Sequence, residues 1–81
     1  MPKMRAKMQI TSIEQFNGSE KLKLCAVSKG GAYPEDGSDE DNTYAKFSPS
    51  ANLEILIANP ALIGQFKPGQ KFYLDFIEAE A

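Results

Sequence analysis

The sequence predicts an all-β domain, a five-stranded antiparallel small barrel or sandwich. Three observations carry this: period-two alternation of apolar residues in three segments, an Asn17-Gly18 pair, and a Pro68-Gly69 pair. Alternation marks strands with one buried face, and the two dipeptides are turn formers with a known mechanism. The chain of 81 residues reads as a single β domain, 1–81, with an acidic loop at 30–43.

In residues 3–10, Lys3, Arg5, Lys7 and Gln9 alternate with Met4, Ala6, Met8 and Ile10, a half-buried strand. The next large apolar residue, Ile13, falls on the opposite parity. Asn17-Gly18 then suits a two-residue type I′ hairpin turn. The return strand, 20–29, carries Leu22 and Leu24 on one parity and Cys25 and Val27 on the other. Pairing about that turn sets Met8 against Val27, Ile10 against Cys25 and Ile13 against Leu22, with Glu14 and Lys21 as a cross-strand ion pair. A coiled hairpin with a bulge near Thr11 or Ser12 accounts for the change of parity.

Residues 43–47 read as a short strand broken by Ser48-Pro49-Ser50, and 51–58 as a better one, with Leu53, Ile55 and Ile57 on one face. Asn59-Pro60 supplies an N-cap and a first-turn proline, and Gly64 ends the resulting short helical turn. Residues 71–78 form the last strand, with Phe72, Leu74 and Phe76 facing in. A helical turn before the last strand fits an SH3-like barrel better than an OB-like one. The predicted core is Met8, Ile10, Leu53, Ile55, Ile57, Phe72, Leu74 and Phe76.

Composition excludes several functions. The chain has no histidine, which removes the commonest general base and every Ser-His or Cys-His arrangement. Gly30-Gly31 lacks the downstream Gly-Lys-Ser/Thr of a phosphate loop. One cysteine, Cys25, allows no internal disulfide, and a zinc site is not expected. No apolar run approaches a membrane span, and the basic N-terminal segment lacks the apolar core of a secretory signal. The expectation is a protein that is not an enzyme, with no cofactor, no metal and no membrane partner, located in the cytoplasm.

Charge is unevenly placed. Glu35, Asp36, Asp39, Glu40 and Asp41 lie in the loop with no basic residue beside them. The six other carboxylates face all nine basic side chains, so the body carries +3 and the loop −5. The loop is the candidate partner-binding site, docking a basic protein surface or the basic face of a second copy. Its spacing does not match an EF-hand, so calcium is the weaker reading. Lys3, Arg5 and Lys7, with Tyr33, Tyr44 and Tyr73 as stacking platforms, form an alternative face for single-stranded nucleic acid. An overall charge of −2 weighs against that alternative.

The run Asn42-Thr-Tyr-Ala-Lys-Phe-Ser-Pro-Ser-Ala-Asn-Leu53, then Ala58-Asn-Pro-Ala-Leu62 and Phe66-Lys-Pro-Gly-Gln-Lys-Phe-Tyr-Leu-Asp-Phe76, resembles a group of small uncharacterised proteins of tailed bacteriophages and prophages. The Met-Arg-Ala-Lys strand at 4–7 extends the resemblance over nearly the whole chain. It implies a phage origin and assigns no site residues. The expected function is a noncatalytic accessory or virion structural protein of the minor head or decoration type, in the host cytoplasm or the virion. Its expected partner is a protein, either a second copy or a phage capsid protein. The alternatives are a single-strand nucleic-acid binder and a small-ligand-sequestering protein opposing host defence signalling.

Overall fold

The computed structural model describes residues 2–80. Four strands form one antiparallel sheet: β1 (Met4–Phe16), β2 (Ser19–Ala26), β3 (Asn52–Ile57) and β4 (Lys71–Phe76). Their order across the sheet is β3-β2-β1-β4. The all-β class holds, but among the described residues there are four strands rather than five, and the sheet is open rather than a closed barrel.

The β1–β2 hairpin is the spine. At its tip Gly18 adopts φ 86°, the left-handed conformation that the turn requires and that glycine takes without steric cost. From the tip, Phe16 pairs with Ser19, Glu14 with Lys21 and Ile13 with Leu22, as the turn predicts. Between Ile10 and Ser12 the register shifts by one residue, so Ile10 meets Leu24 and Met8 meets Ala26, not Cys25 and Val27. Thr11 is the extra residue, and its hydroxyl donates to the Lys23 carbonyl at 3.1 Å. The bulge returns Ile13 to the side occupied by Ile10, and the apparent change of face disappears. The ion pairs also differ from the expected one: Glu14 meets Lys23 at 3.2 Å, while Lys21 meets Glu54 at 3.2 Å.

β3 and β4 attach to opposite ends of this spine. β3 pairs with nearly the whole of β2, from Glu20↔Ile57 to Cys25↔Asn52, on the tip side of the hairpin, and β4 pairs with the base half of β1, from Met4↔Phe76 to Gln9↔Lys71. This stagger draws the molecule out to 48 × 33 × 16 Å.

The expected strand at 43–47 does not form. Phe47 has φ 63°, which no strand residue adopts, and Asn42 and Thr43 are used in a different way, described below. The expected helical turn is also absent. Asn59 Oδ1 caps the Ala61 N–H at 3.0 Å, but hydrogen-bonded turns follow, with Leu62 N–H donating to Asn59 O and Gln65 N–H to Leu62 O. Gly64, at φ 85°, ends the segment before a helix can propagate. At the second predicted turn Gly69 takes φ 94° and Gln70 N–H reaches Lys67 O, as a Pro-Gly type II turn demands.

The buried core is small: Ala6, Met8, Ile10, Leu22 and Leu24 on the two central strands. Tyr44 and Ala51 from the long loop, and Phe66 from the β3–β4 connection, pack against it. Of the remaining predicted core residues, Leu53, Ile57 and Leu74 are half-buried, whereas Ile55, Phe72 and Phe76 are exposed. An open sheet leaves its edge strands without the second layer that a barrel would have supplied.

Candidate functional site

The acidic loop is built inward as well as outward. β2 ends at Ala26, opposite Met8, so β1 continues toward its start without a strand partner on that side. The loop fills the gap. Thr43 N–H donates to Arg5 O at 3.0 Å, Arg5 N–H donates to Thr43 Oγ1 at 2.9 Å, and Lys7 N–H donates to Asn42 Oδ1 at 2.9 Å. Two side-chain oxygens thus stand where strand carbonyls would be, which satisfies backbone donors that burial would otherwise penalise.

Asp39 holds this arrangement together. It is 4% exposed and its carboxylate accepts five hydrogen bonds: from the N–H groups of Lys29, Asp41 and Asn42, from Asn42 Nδ2, and from the Tyr33 hydroxyl, at 2.9–3.3 Å. Asn42, 0% exposed, also donates to Val27 O at 2.8 Å. Burial pushes the Asp39 pKa up, but the bonds from Asn42, Asp41 and Lys29 outweigh it and hold the carboxyl below its ordinary value. Tyr33 moves the other way, its phenol raised by burial and by the Asp39 charge.

The five loop carboxylates therefore divide. Asp41 accepts from Lys7 Nζ at 3.4 Å and from the Tyr73 hydroxyl at 3.1 Å. Exposed Glu40 pairs with Lys29 at 3.0 Å. Asp36 accepts from the Ser38 N–H at 3.0 Å, a bond that lowers its pKa, and points outward with Glu35. Gly37, at φ 74°, lies beneath the Phe47 ring, where an added Cβ would collide with it. Phe47 in turn meets Tyr33 with ring centroids 5.9 Å apart. Among the described residues, no three acidic or cysteine side chains gather as a metal site.

The basic stripe on β1 is matched charge for charge. Lys3 pairs with Glu78 at 2.8 Å, Arg5 forks onto Asp75 at 2.7 and 3.0 Å, and Lys7 meets Asp41. Arg5 also lies 4.4 Å above the Tyr73 ring. The Asp75 hydrogen bond raises the Arg5 pKa and holds Asp75 below its usual value. The three tyrosines do not assemble as one platform. Tyr73 lies on the polar face, Tyr33 faces Asp39, and Tyr44 packs against the apolar core with its hydroxyl buried and without a hydrogen-bond partner among the described residues.

Opposite this polar ladder lies the apolar face, which sequence reasoning assigned to a closed core. Tyr44 and Ala51 cover one end of it and Phe66 the other. Ile55 is 44%, Phe72 39% and Phe76 49% exposed. Two shallow apolar grooves meet at Leu53: one is bounded by Met8, Tyr44, Leu74 and Phe76, the other by Ile55, Phe66 and Phe72. Alternation gave no signal of this openness, because it says which residues share a face and not whether a second layer covers that face.

No family model, curated protein or solved structure matches this chain.

Proposed function

We propose that this chain is a noncatalytic protein-contact module, of the phage accessory or virion structural kind implied by the resemblance, working through the apolar face of its sheet. The observation that carries this reading is the exposure of Ile55, Phe72 and Phe76 on one face beside half-buried Leu53 and Leu74. A contiguous apolar patch on a small domain is a contact surface in waiting, because leaving it wet forgoes burial free energy. Internal pairing of Lys3, Arg5 and Lys7 with Glu78, Asp75 and Asp41 supports contact by apolar burial over capture of a polyanion.

Mass spectrometry of purified virions tests the virion assignment, with this chain expected among the structural proteins. Its absence there would remove the virion role. The contact surface is tested with Ile55→Lys and Phe72→Lys, both expected to stay folded by circular dichroism and to lose association with assembled particles or the phage protein complex. Undiminished association with both lysines in place would overturn the apolar-face reading.

A further inference from the structure

Resting on that contact role, we propose that the partner covering the apolar face is a second copy of this chain, stacked face to face as a two-fold dimer of four-stranded sheets. A sheet with one apolar face is stable when a second layer covers that face. Here, among the described residues, Tyr44, Ala51 and Phe66 pack against it and the β3–β4 connection seals Glu20, and the molecule extends 16 Å along its shortest axis.

Surface area supports a partner of this size. A compact monomer of 8.9 kDa is expected to expose about 4,800 Å². This chain exposes 5757 Å², an excess of about 950 Å². One side of a standard protein–protein interface buries about 800 Å². The surplus therefore has the magnitude that one dimer contact removes, and exposed Ile55, Phe72 and Phe76 place its apolar part on this face.

The chemistry favours a copy of the chain. In a two-fold contact residue i meets j and j meets i, so a charge on the axis meets its own copy and a charge elsewhere needs an opposite charge at its mate. The sheet positions facing this side are Met4, Ala6, Met8, Ile10, Ile13 and Gln15 on β1, Leu22, Leu24 and Ala26 on β2, alternate apolar residues of β3 and β4, and a single charge, Glu20. Glu20 is 1% exposed and accepts the Gly64 N–H at 3.3 Å, sealed by the β3–β4 connection. The face thus presents no like-charge repulsion to itself. The two grooves meeting at Leu53 supply concave features that the exposed Phe72 and Phe76 rings of the second copy fill.

Sedimentation equilibrium of the full chain across micromolar concentrations should give twice 8.9 kDa, with a melting temperature that rises with protein concentration. Ile55→Lys and Phe76→Lys should give folded monomers, while Leu56→Lys, on the opposite face, should remain dimeric. On the wild-type protein, the NMR signals of Ile55 and Phe76 should shift on dilution and that of Leu56 should not, a readout that needs no variant to fold. A wild-type monomer with a concentration-independent melting temperature would overturn the dimer. So would a dimer broken by Leu56→Lys and untouched by the face lysines. If the wild type is monomeric and the lysine variants still lose phage association, the contact role stands with a different partner. If they lose nothing, both readings fall.

Discussion

Asp39 shows how one side chain can decide whether a loop has a structure. Its five accepted hydrogen bonds converge from both ends of residues 29–42, so removing the charge unties several donors together. Asp39→Asn would turn an NH₂ toward groups that themselves donate, and is expected to cost about 2–3 kcal/mol. Urea denaturation at neutral pH measures it, and an unchanged midpoint would contradict the account. The lowered pKa also makes stability depend on pH. Unfolded Asp39 takes up its proton near its ordinary value of 3.8, whereas the folded carboxylate resists protonation until lower pH. The stabilisation is therefore complete above about pH 5 and is lost as pH falls through 3.8 toward the depressed native value. Wild type should lose melting temperature across that range more steeply than Asp39→Asn. Tyr44 makes the opposite case: its buried hydroxyl has no partner among the described residues, so Tyr44→Phe removes an uncompensated desolvation cost. The variant should match wild type or exceed it by up to about 1 kcal/mol, read as a rise in melting temperature.

At the scale of elements, the loop functions as a substitute strand. Where β2 stops short of the β1 start, Asn42 Oδ1 and Thr43 take the Lys7 and Arg5 backbone groups. Hydrogen exchange should therefore find the Lys7 amide protected in wild type, at a position where hairpin pairing alone would leave it open. Asn42→Ala should release that amide to fast exchange and cost about 2 kcal/mol, since the Val27 carbonyl and Asp39 lose a donor at the same time. Protection of Lys7 unchanged in the variant would show that another group holds it. The Thr11 bulge is the second decision at this scale. One added residue keeps Ile10 and Ile13 on a common face, so the hairpin buries a single apolar surface along its whole length.

For the whole molecule, the stagger of β3 and β4 produces a broad, thin body whose edge strands carry uncovered apolar side chains. Phe76 is the clearest probe. Half-exposed in one copy, it should cost about 1–2 kcal/mol on truncation to Ala where the chain is monomeric, well short of the 3–5 kcal/mol of a buried ring. With a second copy over the face, the cost should grow with protein concentration. Chemical denaturation at two concentrations reads the difference, and equal costs would separate Phe76 from the interface.

Local chemistry was legible in the sequence wherever it acts over a few residues. Gly18 and Gly69 sit at positive φ in turns that Asn17-Gly18 and Pro68-Gly69 announce. Alternation locates three of the four strands to within a few residues, the Asn17-Gly18 turn places β2, and the shift at Ile10–Ser12 follows from the parity change at Ile13. What depends on distant partners was hidden. Asp39 and Asn42 resemble any solvated acidic-loop residues until β1 presents unpaired donors more than thirty residues away in the chain. Alternation likewise says that Phe72, Leu74 and Phe76 share a face, but not whether anything lies over it. Burial is set by how many layers the chain can fold across that face. With four staggered strands, the tertiary structure covers the middle of the sheet and leaves its apolar edges open.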